Sequence, residues 1–218
     1  MDTVVANPWS APSQSGPYVL EQDCRAVEVF NSTAKPKHRL EIETIPEPFL
    51  GRLDAPIVVL LLNPGSPEDE SYREELLTLF RAPSMMRDHP YIRRRQLWWS
   101  KLVKGLRRDG MRDDQISQSI LSVEFFPYRS KSFGCAHVRL PSQEFSFHLV
   151  RQAMQRKAVI VLARGLKCWL GAVPQLQAHG MIKLGNPRSA SLSRSNVGPE
   201  AHARILAALP DDAACMSA

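Results

Sequence analysis

Ile57-Val58-Val59-Leu60-Leu61-Leu62-Asn63-Pro64-Gly65 is the stretch that decides the fold. An apolar run rich in β-branched residues halts at an asparagine, a proline and a glycine. The run reads as a buried strand, and its apolarity on both faces fits a central position covered by helices on each side. Asn-Pro and Pro-Gly are turn dipeptides, so the strand empties into a tight turn. In open α/β sheets, ligand sites form outside the carboxyl ends of the strands. A second stretch, Asn186-Pro187-Arg188-Ser189-Ala190-Ser191-Leu192-Ser193-Arg194, follows a shorter apolar run at residues 181–184.

Outward from that strand, apolar segments alternate with helical patterns. Further strands are predicted over residues 120–126, ending at Pro127-Tyr128, over 158–163, followed by Arg164-Gly165, and over 181–184. Between them, helices are predicted over 68–81, with Tyr72, Leu76, Leu79 and Phe80 on one face, and over 92–108, with Trp99, Leu102, Val103 and Leu106 as the buried stripe. Arg94, Lys101, Lys104 and Arg108 gather on another face of the second helix and read as a solvated surface. Later helices are predicted over 145–156, from Gly165 through Trp169, and over 199–209, where Pro199 suits the first turn and Ile205, Leu206 and Leu209 face inward. Upstream, residues 19–31 support a short helix with Val27 and Phe30 inward, 39–45 alternate like an edge strand, and Pro46, Pro48 and Gly51 force a loop. The expected fold is α/β: a three-layer sandwich with a mostly parallel central four-stranded sheet and helices on both faces. Residues 1–18 read as an extended arm that Trp9 can pin to the body, 19–210 as one domain, and 211–218 as a frayed tail.

The chain has 218 residues and a net charge of +6, with a pI near 9.4, a balance that favours a polyanionic partner. Cys24, Cys135, Cys168 and Cys215 are scattered singly, which suits reduced thiols in a cytoplasmic protein and not a zinc or iron–sulfur site. The six histidines show no ligand spacing, so no metal is expected. No Gly-x-Ser-x-Gly elbow and no Gly-x-Gly-x-x-Gly follows a strand, so neither a hydrolase nucleophile nor a dinucleotide cofactor is expected. No apolar run reaches signal-peptide or membrane-span length, and a monomer is expected.

On this topology the segments after Leu62, Phe126, Leu162 and Leu184 leave one sheet edge. Asn63 is neutral and orients a water through its amide rather than acting as a base. Pro64 and Gly65 let the backbone approach a bound ring. A plain turn accounts for the same three residues. Residues 186–194 carry hydroxyls and arginines, the usual holders of phosphate oxygens. Arg188, Ser189, Ser191, Ser193 and Arg194 are the candidates, with Leu192 as a wedge for the gap left by an extruded base. A flexible polar loop before a helix is the alternative.

Together the two stretches resemble the uracil-DNA glycosylase superfamily, in its mismatch-specific and single-strand-selective branches. Leu62-Asn63-Pro64-Gly65 is similar to the family's turn after the first core strand. Asn186-Pro187 with Ser191-Leu192-Ser193-Arg194 is similar to its Asn/His-Pro-Ser loop, with Arg188 to Ala190 as extra residues. Gln96-Leu97-Trp98-Trp99-Ser100-Lys101-Leu102 resembles the aromatic-tryptophan segment that opens the helix before the second strand. The resemblance spans residues 56–209 and implies monofunctional base excision from DNA. Asn63 would hold the attacking water, Asn186 would donate to a carbonyl of the departing base, and Ser191, Ser193 and Arg194 would clamp phosphates. The family's base-reading asparagine lies three residues before the proline that ends the second strand, which puts Glu124 here. An ionised carboxylate there favours a ring with an exocyclic amine. The stacking aromatic falls to Tyr72, or to Phe125 or Phe126.

A DNA glycosylase acting on a damaged or deaminated base is thus the leading expectation. A catalytically inactive nucleic-acid or nucleotide binder of the same fold is the first rival, and a nucleoside hydrolase the second.

Overall fold

The computed structural model describes residues 5–10, 15–66 and 97–210. Five strands form one mixed sheet: β1 (Phe49–Leu50), β2 (Ile57–Leu61), β3 (Ile120–Glu124), β4 (Val159–Leu162) and β5 (Ile182–Lys183), in the order β1-β3-β2-β4-β5. β2 runs parallel to both neighbours, with Ile57 opposite Ile120 and Val159, and Leu61 opposite Glu124. β4 and β5 are parallel, with Val161 opposite Ile182.

The two-residue period of the strands divides the sheet's apolar side chains between two cores. Val58, Leu60, Leu121, Val123, Ile160 and Leu162 join one core with helices α1 (Cys24–Thr33) and α4 (Gln143–Gln155) and with Trp169 of α5 (Leu166–Ala172). Ile57, Val59, Leu61, Ile120, Val161 and Ile182 join the other. There they meet α2 (Leu97–Arg108), α3 (Asp113–Ser119) and α7 (Pro199–Ala207). A short helix α6 (Arg194–Val197) precedes α7. Strand and helix patterning thus give the expected α/β class, with Trp99, Leu102, Val103 and Leu106 all buried on α2.

The upstream segment departs from expectation. The four-stranded sheet is five-stranded, because Phe49 and Leu50 pair antiparallel with Val123 and Ser122. Proline lacks an N–H, yet its carbonyl still accepts: Glu124 N donates to Pro48 O at 2.9 Å. The expected edge strand over 39–45 is only an isolated bridge between Glu41 and Arg129. Leu40 instead satisfies its backbone on a side chain, donating to Asn31 Oδ1 at 2.8 Å and accepting from Asn31 Nδ2 at 2.9 Å. The expected helix over 68–81 lies outside the described residues. Among those described, no helix is long and apolar enough to cross a membrane.

Trp9 is buried against Tyr128, with ring centroids 6.1 Å apart, so the N-terminal arm is docked at that point. Tyr128 donates to Asp23 Oδ2 at 2.7 Å, and Asp23 Oδ1 accepts from Ser142 N at 3.1 Å. Both Asp23 and Tyr128 are fully buried. Burial and the Asp23 carboxylate push the Tyr128 phenol far above its ordinary value, so it stays a hydrogen donor. Tyr128→Phe leaves Asp23 Oδ2 without that donor and should cost about 1–3 kcal/mol, read as a lowered denaturant midpoint with an unchanged slope.

Candidate active site at the strand carboxyl edge

Parallel strands β2, β3, β4 and β5 deliver their following loops to the same edge of the sheet. Asn63 follows β2 and is half-buried. Its Nδ2 donates to Ser130 Oγ at 2.9 Å and to Pro64 O at 3.1 Å. Both amide hydrogens are thereby used, and Oδ1 remains as an acceptor that no described donor fills. Pro64 is buried and Gly65 exposed. No described atom lies within 4 Å of where a Cβ on Gly65 would stand.

Arg129 fixes the turn from beneath. Its guanidinium donates to Gly65 O at 2.7 Å, to Ile45 O at 3.0 Å and to Glu47 Oε2 at 2.9 Å. Arg129 and Glu47 are each only 4% exposed, so the ion pair is shielded from water. Ser66 donates to Glu41 on the same segment. Residues 41–47, which lie outside the glycosylase resemblance, therefore build one wall of the site. Sequence reading assigned no role to Arg129, Glu47 or Ser130. Arg129 and Ser130 stand in the polar, basic run Arg129-Ser130-Lys131-Ser132 after β3, whereas Glu47, between Pro46 and Pro48, carries no such signal.

Glu124 ends β3 and is 5% exposed, and its Oε2 has no hydrogen-bond partner among the described residues. Burial pushes its carboxyl well above the usual range, and the Glu47 carboxylate adds to this, against the pull of Arg129 and Arg164. The acceptor-only carboxylate expected at this position is thus biased toward its protonated form, which donates as well as accepts. Phe125 and Phe126 follow it but are fully buried. Phe125 packs edge-on against Trp169 at 5.2 Å, and Phe126 against Phe133 at 6.3 Å. Neither ring has a face open for stacking. Tyr72 lies outside the described residues.

The second loop leaves β5, separated from β2 in the sheet by β4 alone. That is two strand spacings, about 10 Å. Gly165 after β4 closes the interval: its φ is +78°, and a Cβ there would meet Leu62 Cδ1 at 2.4 Å. Asn186 is exposed, and its Oδ1 accepts from Arg188 N at 3.1 Å and Ser189 N at 3.3 Å. Its Nδ2 is left as a donor. Asn196, unremarked in the sequence, braces the loop from inside. Its Oδ1 accepts from Asn186 N, and its Nδ2 donates to Ser189 O and Ser191 O, both at 3.0 Å. Arg188, Ser189 and Arg194 are exposed, and Ser191 and Ser193 half-buried. Ser191 Oγ accepts from Ser193 N at 3.2 Å.

Leu192 corrects an expectation. It is 0% exposed, belongs to the core with α2, and its N–H donates to Leu102 O at 2.8 Å. It is the loop's anchor, because the apolar side chain gains more from that core than a surface wedge would.

Among the described residues, no group of three or more His, Cys, Asp or Glu is placed to hold a metal. A groove of about 490 Å³ lined by Arg151, Met154, Gln155, Gln175, Ala178 and His179 is built on α4 and the turn before β5, and includes none of the loop residues above.

Two measurements check this site. Leu192→Ala should cost about 2–5 kcal/mol in denaturant unfolding, as a core truncation does and a surface wedge does not. Burial makes Glu124 hold its proton to higher pH in the fold than in the unfolded chain, where the ordinary value is 4.5. Its contribution is full below that pH and is lost as pH rises toward the folded value. The wild-type unfolding midpoint should fall relative to Glu124→Gln as pH is raised from about 4.5. Parallel profiles would mean that Glu124 is ionised in the fold. Compared with known proteins, the chain matches no family model, no curated protein and no solved structure.

Proposed function

We propose that this is a DNA base-excision glycosylase of the uracil-DNA glycosylase-like fold, hydrolysing the N-glycosidic bond of a flipped-out damaged or deaminated base. The observation that carries the reading is the held amide of Asn63: Ser130 and Pro64 take its hydrogens and leave Oδ1 open at the sheet edge that also bears residues 186–194. That is the disposition needed to hold a water by accepting its hydrogen.

In the reaction the C1′–N bond breaks with its electron pair leaving on the base, and the sugar becomes oxocarbenium-like. The water held by Asn63 bonds through its oxygen to C1′, and its proton passes through solvent to the anionic base. With no ionised base at position 63, acceleration comes from positioning and electrostatic stabilisation. A neutral Glu124 carboxyl suits that role, since it donates a hydrogen bond to a departing anion without repelling it. Asn186 Nδ2 is the second donor. Extrusion of the base is the step that gives access to the bond.

A second reading, a nucleic-acid binder without chemistry, is favoured by the burial of Leu192, Phe125 and Phe126, which leaves no described wedge or stacking ring.

A cleavage screen separates the readings. Duplexes containing uracil, hypoxanthine, xanthine or an alkylated base are incubated with the protein and probed for abasic sites. One of them should be cleaved, and Asn63→Ala should abolish product while leaving binding intact. Salt-dependent binding with no product on any duplex would support the binder. Base release from free nucleosides alone would indicate a nucleoside hydrolase.

A further inference from the structure

Residues 186–194 do not stand alone on the surface. Leu192 N donates to Leu102 O of α2 at 2.8 Å. Beside it, Ser193 lies so close to α2 that a Cβ on Gly105 would meet Ser193 Cα at 2.6 Å. The absence of a side chain at Gly105 is what lets the loop lie flat on the helix.

That seat adjoins the cationic face of α2. At about 100° per residue, Gly105 lies about 40° around the helix from Lys101. Lys101, Lys104 and Arg108 share one face at spacings of three and four and are all exposed. Packing the loop on Leu102 and Gly105 therefore brings exposed Arg194, which follows Ser193, onto the helix that carries three exposed cations some ninety residues earlier in the chain, with exposed Arg188 on the same loop.

These charges are left uncompensated among the described residues. Nearby cations are not: Arg107 is 2.6 Å from Asp113, and Arg112 is 3.1 Å from Asp114. Asp109, next to Arg108, faces His202 instead, with Oδ2 3.1 Å from Nε2. No described carboxylate pairs with Lys101, Lys104, Arg108, Arg188 or Arg194. Like charges three and four residues apart on a helix destabilise it. Packing that adds two more arginines raises that cost unless an anion offsets it.

We propose that Lys101, Lys104 and Arg108 of α2, with Arg188 and Arg194 of the loop, form one continuous track for the phosphodiester backbone of a DNA strand. The inference rests on the reading that DNA is the partner, and it places the backbone along α2 and not only at the serine-rich loop. From Lys101 to Arg108 the helix rises about 10 Å. A stretch that long faces more than one phosphate of a single strand. The contacts are to backbone, so the track is indifferent to base identity and fixes register for the residues at the sheet edge.

The test uses the full chain and a short, unmodified, fluorescein-labelled duplex, with affinity measured by anisotropy across a range of NaCl concentrations. The double variant Lys104→Ala/Arg108→Ala should flatten the slope of log affinity against log salt by about two units, and Arg194→Ala by about one. Lys157→Gln, at the far end of α4 before β4, should leave the slope unchanged. Unchanged unfolding midpoints would show that the variants fold. A double-variant slope equal to wild type overturns the track. If that variant nonetheless forms abasic sites normally in the cleavage screen, the glycosylase reading stands without it. Absence of salt-dependent binding by the wild type overturns both the track and the DNA reading.

Discussion

A guanidinium with almost no access to water must find its partners inside the protein, and Arg129 finds them on two other segments of the chain. It reaches the carbonyl of Ile45, the carboxylate of Glu47 and the carbonyl of Gly65. Desolvating that charge is tolerable only if every one of these groups is in place. The turn at residues 63–65, the segment before β1 and the loop after β3 are therefore fixed with respect to one another. The neighbouring Ser130 then has a defined position from which to hold the amide of Asn63.

The same constraint sets the electrostatics of the edge. Glu47 is committed to Arg129, and its charge reaches Glu124 at the end of β3. A buried carboxyl near a carboxylate already paired with a cation is pushed toward its protonated form, and Glu124 is in that position. The interior of the site is thus close to neutral, while the surface around α2 and residues 186–194 is positive. Such a division suits the polyanionic partner proposed for the rim.

Two devices hold the rim in shape without any charge. Asn196 supplies donors and an acceptor to the backbone of residues 186–191, and Leu192 plugs the loop into the core against α2. The exposed arginines and serines are carried on a frame whose ordering is already offset by burial and hydrogen bonding. Little further entropy is lost when a ligand arrives.

The amino-acid sequence by itself determined the α/β class, the parallel strands β2 to β5, the inward stripe of α2 and the placement of Asn63 and Asn186 after strands of one sheet. These follow from local periodicity and turn chemistry, which act over a few residues. It did not reveal β1, since a pair of residues between Pro48 and Gly51 has no period to read, nor did it show that Asn31 replaces the expected strand partner of Leu40. Leu192, Phe125 and Phe126 looked available for a ligand, because an apolar residue has the same identity in a core and on a surface. Tertiary packing alone decided that they are buried, that the Glu124 carboxyl is pushed above its ordinary range, and that Arg129 organises the turn. Burial and partnership at those positions depend on residues tens of positions away in the chain, and no local pattern encodes such contacts.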